Sequence, residues 1–261
     1  MWKVDTTQTT ETWDDLVLPE PQVITLKLIA SQFRLASQQQ EQAKTLPAVQ
    51  AGQGMAILFY GPTGAGKGLA ARILANVLET HLWRFDLNLL VSKFSGESEH
   101  NLHQLLNQAD ELGVVLLMDN AEALFGKRAE TKDSAKDSQN RFPTLDMDYL
   151  LSRLNEFKGI AILASQQKNT LEPTLIPKMR FTVEFPFPDR EAREQIWQRV
   201  LANPMKKLDF KWLARFELSG GSIYTVARDV SSRTAREGRP VNETEFILAN
   251  KTVHAHPKPH K

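Results

Sequence analysis

Residues 55–68 read MAILFYGPTGAGKG, and a helical pattern begins at Lys67. Few folds accept that order. The six apolar residues are too few for a helix and lack polar alternation, so they predict a strand buried on both faces. The loop that follows carries glycines at 61, 64, 66 and 68 and a lysine at 67. Glycines let backbone N–H groups turn inward around a phosphate, the helix N-terminus adds its positive end, and a lysine at this spacing reaches the outer phosphate oxygens. The expected cradle comprises Gly61, Pro62, Thr63, Gly64, Ala65, Gly66, Lys67 and Gly68, with Leu69 entering the helix. A Gly-rich turn without chemistry has no need of strand, loop, lysine and helix in that sequence.

Two further apolar runs, VVLLMD at 114–119 and AILAS at 161–165, alternate with helical patterns at 67–78, 97–111 and 147–157. Alternation of this kind predicts an α/β fold with helices on both faces of a parallel sheet, a three-layer sandwich. RFTVEFPFP at 180–188 reads as the last strand, closed by prolines at a domain boundary. Beyond Asp189 the patterns are helical only: one opened by Asp189 with Glu191 in its first turn, one at 210–216 and one at 222–236. A small all-helical lid domain is therefore expected. Ahead of the cradle, the first dozen residues are polar and expected to be loose. Trp13, Leu16, Val17 and Leu18 form an apolar knot, and Ile24, Leu26, Ile29, Phe33 and Leu35 suggest an amphipathic helix over 23–42. The expected division is an N-terminal segment at 1–53, a nucleotide-binding core at 54–188, a helical lid at 189–250 and a polar tail at 251–261. A KDSA–KDSQ repeat at 132–139 reads as a local duplication that lengthens a polar loop.

Charge and composition narrow the function. Lys and Arg number 32 against 31 Asp and Glu, a net charge of +1, which gives no broad basic field for nucleic acid or anionic lipid. Without cysteine there is no disulfide, thiolate nucleophile or cysteine metal site. No apolar run approaches membrane-span length, and a cytoplasmic protein is expected. The histidines, His81, His100, His103 and three in the tail, show no metal-ligand grouping.

The positions that should do chemistry depart from the pattern. Residue 68 should carry a hydroxyl for Mg²⁺, but Gly68 has none, which leaves Asp119 to hold the metal weakly. After the strand at 114–118, Asp119 is followed by Asn120, where nucleotide hydrolases place a glutamate that deprotonates the attacking water. Loss of a general base slows a reaction by about 10² to 10⁴. Glu122 stands two residues on, either as a substitute base or as a structural glutamate. Slow or absent hydrolysis is expected.

The segment Asp119-Asn120-Ala121-Glu122-Ala123-Leu124-Phe125-Gly126-Lys127-Arg128, with Lys132-Asp133-Ser134, Asp148-Tyr149-Leu150-Leu151 and Phe185-Pro186-Phe187-Pro188-Asp189, resembles an AAA ATPase domain of the AAA+ superfamily. The resemblance runs from about 13 to 222. More narrowly, it is similar to single-domain AAA proteins of bacterial gene clusters for contractile, phage-tail-like injection systems. It implies ATP as ligand with Mg²⁺, self-association into a ring, a hexamer, and nucleotide between subunits. It also implies a polypeptide client gripped by a pore loop at Ser92-Lys93-Phe94-Ser95-Gly96-Glu97, where Lys93 and Phe94 make contact without reading sequence. Gln166 takes the sensor 1 position and Arg180 that of the arginine finger, Lys178 lacking the planar fork. Ser219-Gly220-Gly221-Ser222-Ile223 resembles the turn that opens the sensor 2 helix. A fully active ATPase and a scaffold subunit that threads no client remain alternatives. A nucleic-acid loader lacks its basic patch and a small-molecule kinase its basic acceptor lid.

Overall fold

The computed structural model describes residues 3–5, 10–43, 54–88, 98–125, 152–154, 156–167, 175–201, 208–237 and 246. The described residues fall into two compact units. The first lies within Met1–Trp13, Glu20–Gly61 and Lys67–Phe185, and the second within Asp14–Pro19, Pro62–Gly66 and Pro186–Lys261.

The first unit is built on a six-stranded sheet. Its strands are β1 (Lys3–Asp5), β2 (Met55–Tyr60), β3 (Leu82–Asp86), β4 (Val115–Asp119), β5 (Ile160–Ser165) and β6 (Phe181–Glu184), in the order β1-β3-β4-β5-β2-β6. All neighbours are parallel except β1, which runs antiparallel to β3. The apolar runs become the central strands because a parallel sheet is covered on both faces. Met55, Ile57, Leu58 and Phe59 of β2 are almost wholly buried, and each contributes roughly 1.5–3 kcal/mol by leaving water. Helices α1 (Glu20–Ala43), α2 (Lys67–Val77) and α3 (Ser98–Leu112) complete the unit.

Three sequence expectations need correction. Residues 3–5 are not loose; they pair Lys3 with Arg84, Val4 with Trp83 and Asp5 with Leu82. Glu11, also in the polar opening, bonds Arg72 at 2.9 Å. The strand Leu82–Asp86 was invisible as an apolar run because Arg84 interrupts it, with only Leu82 and Phe85 buried. In α1 the inward face is Leu26, Ile29 and Ala30, whereas Ile24 and Leu35 are exposed. Steps of three and four from Leu26 keep one face of a 3.6-residue helix, and positions 24 and 35 fall off it. The helical pattern at 147–157 lies mostly outside the described residues.

The second unit holds α4 (Arg190–Val200), α5 (Phe210–Leu213) and α6 (Gly220–Glu237). Asp189 caps α4 by accepting from Ala192 N at 2.8 Å, and Asp209 caps α5 through Trp212 N at 3.0 Å. Each such cap is worth about 1 kcal/mol. Buried Arg193 donates to the Ala214 carbonyl at 3.0 Å and the Pro188 carbonyl at 2.8 Å, which satisfies a charge that is otherwise costly inside. Trp197 and Phe246 meet edge to face at 5.4 Å over Leu201, Leu213, Ile223 and Val230.

Candidate functional site

The cradle begins where β2 ends. Gly61 N donates to the Ser165 carbonyl at 3.2 Å, so the last residue of β5 fixes the loop's first. Gly61, Gly64 and Gly66 have φ of 144°, 78° and 105°, values an L side chain resists. Within the second unit, the carbonyl of Gly64 accepts from Gly221 N at 2.9 Å, and a Cβ at Gly64 would meet Ser219 Oγ at 2.3 Å. The turn at 219–221 that resembles the sensor 2 start thus packs on the loop tip at 62–66.

In the first unit, Lys67 Nζ donates to the Gly61 carbonyl at 2.5 Å. Burial pushes the Lys67 pKa below its ordinary 10.5, while Asp119 and then Glu122 pull it back. The ammonium therefore loses its proton at a lower pH than an exposed lysine, and phosphate loses its counter-charge with it. Affinity for a nucleoside triphosphate is expected to weaken with rising pH before 10.5 is reached. Fluorescence titration with a labelled nucleotide across that range checks this; constant affinity up to the ordinary lysine value contradicts it.

Parallel pairing of β3 with β4 sets Asp86 opposite Asp119. This register assembles a cluster of which sequence reasoning found half. Arg84 forms an ion pair with Asp119 through Nε. Asn120 sits in the left-handed region at φ 57°, and its amide donates to Asp86 Oδ1 at 2.8 Å. The same oxygen accepts from Asn88 N at 2.9 Å. Asparagine tolerates that backbone better than glutamate does. Glu122, in the 3₁₀ turn Ala121–Phe125, keeps Oε2 buried with no hydrogen-bond partner. Arg84 and Asp86 were missed because nothing local marks them; their alternation on one face of a strand beside Asp119 was the available signal.

For nucleotide phosphates the residues fit: an inward-turning loop whose glycines admit no Cβ, and a partly buried ammonium beside it. For Mg²⁺ they do not. Gly68 offers no oxygen, the Asp119 carboxylate is taken by Arg84, and no three His, Cys, Asp or Glu converge among the described residues. The missing hydroxyl is not a matter of space, since a Cβ at Gly68 meets nothing within 4 Å.

Leu69 follows in α2, half-buried, and Gln166 stands exposed just past β5. Arg180 is not brought to this cluster. Its backbone N bonds the Ala56 carbonyl at 2.8 Å, at the opposite end of β2 from Gly61. Four residues of strand separate the two, about 13 Å. Its exposed side chain reaches Gln32 at 3.4 Å. Lys93 and Phe94 lie outside the described residues.

Comparison with known proteins agrees with this geometry. The family model described as ATPase family associated with various cellular activities (AAA) matches residues 57–189, just over half of the chain. A proteasome-activating nucleotidase of Pyrococcus abyssi is 28% identical over 207 residues, 74% of this chain and 50% of that protein. A probable 26S proteasome regulatory subunit 6B of Caenorhabditis elegans is 27% identical, over 73% of this chain and 48% of its own. A 26S proteasome regulatory subunit 8 homolog of Schizosaccharomyces pombe is 29% identical, over 74% and 50%. The chain spans about half the length of these relatives. The narrower likeness to injection-system proteins rests on the sequence motifs alone.

Proposed function

The chain belongs to the AAA family of ATPases, and from that premise we propose that it binds ATP in the cradle at 61–68, assembles into a ring and acts on a polypeptide client while hydrolysing ATP slowly or not at all. The core at 54–188 supplies the nucleotide contacts and the helical lid at 189–250 closes on them. In the ring, Arg180 serves the neighbouring subunit's nucleotide, in keeping with its place away from its own cradle. Lys93 and Phe94 grip the client. The relatives' names attach them to the proteasome, which favours a polypeptide over a nucleic acid, as does the near-zero charge.

The observation that carries slow turnover is Asn120. It is held by Asp86 in a left-handed conformation where the general base would stand. ATP binding, turnover and particle mass are measured together on the purified chain. Tight binding, nucleotide-dependent oligomers and turnover at least about 10²-fold below an ordinary AAA ATPase are expected. Ordinary turnover overturns the slow-hydrolysis reading. Asn120→Glu is expected to raise turnover by less than about threefold, because its carboxylate would face Asp86 and its backbone would be strained.

Glu122 favours a second reading, an active enzyme. Its unpartnered buried oxygen and its pull on Lys67 place a carboxylate close to the phosphates. If Glu122 is the base, Glu122→Gln removes whatever turnover the chain has; if it is structural, turnover persists.

A further inference from the structure

Asp119 is the carboxylate that this fold offers to a metal, and it already has a cationic partner from its own sheet. Arg84, two residues before Asp86 on the adjoining strand, pairs with it through Nε. The Arg84 side chain remains 52% exposed whereas Asp119 is 19% exposed. A guanidinium has five N–H donors in a rigid fork, so the bond to Asp119 leaves others directed to solvent. Gly68 completes the pattern, since the second protein position that should favour a divalent cation has no side chain at all.

We propose that Arg84 stands in for the divalent cation, so that this chain binds the triphosphate in its metal-free form, with Arg84 and Lys67 supplying the positive charge. The proposal rests on the nucleotide-binding reading above and adds a residue and a charge state to it. Arg84 neutralises Asp119, which otherwise repels phosphate, and presents its remaining N–H groups to the same side. Guanidinium–phosphate bonds are among the stronger charge-assisted hydrogen bonds. Mg²⁺ has to displace Arg84 from Asp119 to gain a single protein ligand, so it adds little.

ATP affinity measured by calorimetry in excess chelator and in excess Mg²⁺ tests this. The unmodified chain is expected to differ by less than about threefold between the two buffers. Arg84→Gln exposes an uncompensated Asp119, so its affinity in chelator is expected to fall about tenfold and to recover in Mg²⁺. Arg84→Lys keeps the charge and is expected to stay insensitive to chelator, which separates loss of charge from loss of structure. Gly68→Ser combined with Arg84→Gln restores a hydroxyl in open space and should make binding more Mg²⁺-dependent still.

A loss of about tenfold or more in chelator for the unmodified chain overturns the proposal and leaves the nucleotide reading standing. Arg84→Gln that remains insensitive to chelator also overturns it, since some other group then carries the charge. Absence of ATP binding in either buffer overturns both. Thermal midpoints of the variants, expected unchanged because Arg84 is half-exposed, guard against misfolding as the cause.

Discussion

Replacement of Lys67 by alanine is expected to weaken ATP binding about a hundredfold, the roughly 3 kcal/mol upper range for a hydrogen bond to a charged group. The ammonium is the partly buried cation at the mouth of the cradle, and its only printed bond is to the Gly61 carbonyl of its own loop. That bond orients it and is readily exchanged for a phosphate oxygen. Folding should hardly notice the change. Burial already disfavours the charged lysine, as its lowered pKa shows, so removing it relieves a desolvation cost while losing one hydrogen bond. Calorimetric titration paired with a thermal melt checks this. A drop in affinity with an unshifted melt is the expected result, and retained affinity rules Lys67 out as the phosphate ligand.

Two glycines of the same loop should respond to alanine with opposite signs. At Gly61 a Cβ would lie 2.0 Å from the Phe185 carbonyl oxygen at a φ of +144°. Phe185 cannot retreat: its N–H bonds the Tyr60 carbonyl at 2.7 Å, and its buried ring rests on Phe59 at 4.9 Å. Backbone strain and overpacking together should cost Gly61→Ala about 3–5 kcal/mol. Gly68, in the first turn of α2, has nothing within 4 Å, and Gly68→Ala should stabilise by about 0.5–1 kcal/mol through helix propensity. Urea denaturation midpoints read both. Similar midpoints for the two variants would show that Gly61 is not wedged against Phe185.

The sequence made some of this molecule plain and hid the rest for physical reasons. β2, β4 and β5 were visible because burial on both faces demands uninterrupted apolar side chains. β3 carries two polar groups on one face for the site's use, and β1 is three residues long, so neither leaves a periodic trace. In the same way, the cradle was legible because its geometry is local: glycines, lysine and helix start are contiguous. Asp119 and Asn120 were found by their place after a strand, but their partners were not. Arg84 lies 35 residues from Asp119 and Asp86 34 from Asn120, and only the register of two strands brings them together. Asn120 looked like a simple loss of a base; the structure shows a residue suited to a left-handed backbone and bonded to an aspartate. Lys67, by contrast, stands where spacing put it.

β3 has unequal neighbours. On one side β4 grips it along five residue pairs, and on the other β1 holds it by three, with Lys3 opposite Arg84 itself. A seam so short opens at a small fraction of the free energy of global unfolding. Once it parts, β3 is a bare sheet edge, and the strand bearing the cation for Asp119 is anchored from one flank only. The beginning of the chain is thus a mechanical brace for its charge chemistry: whatever pulls residues 3–5 aside loosens Arg84, although those residues touch no phosphate.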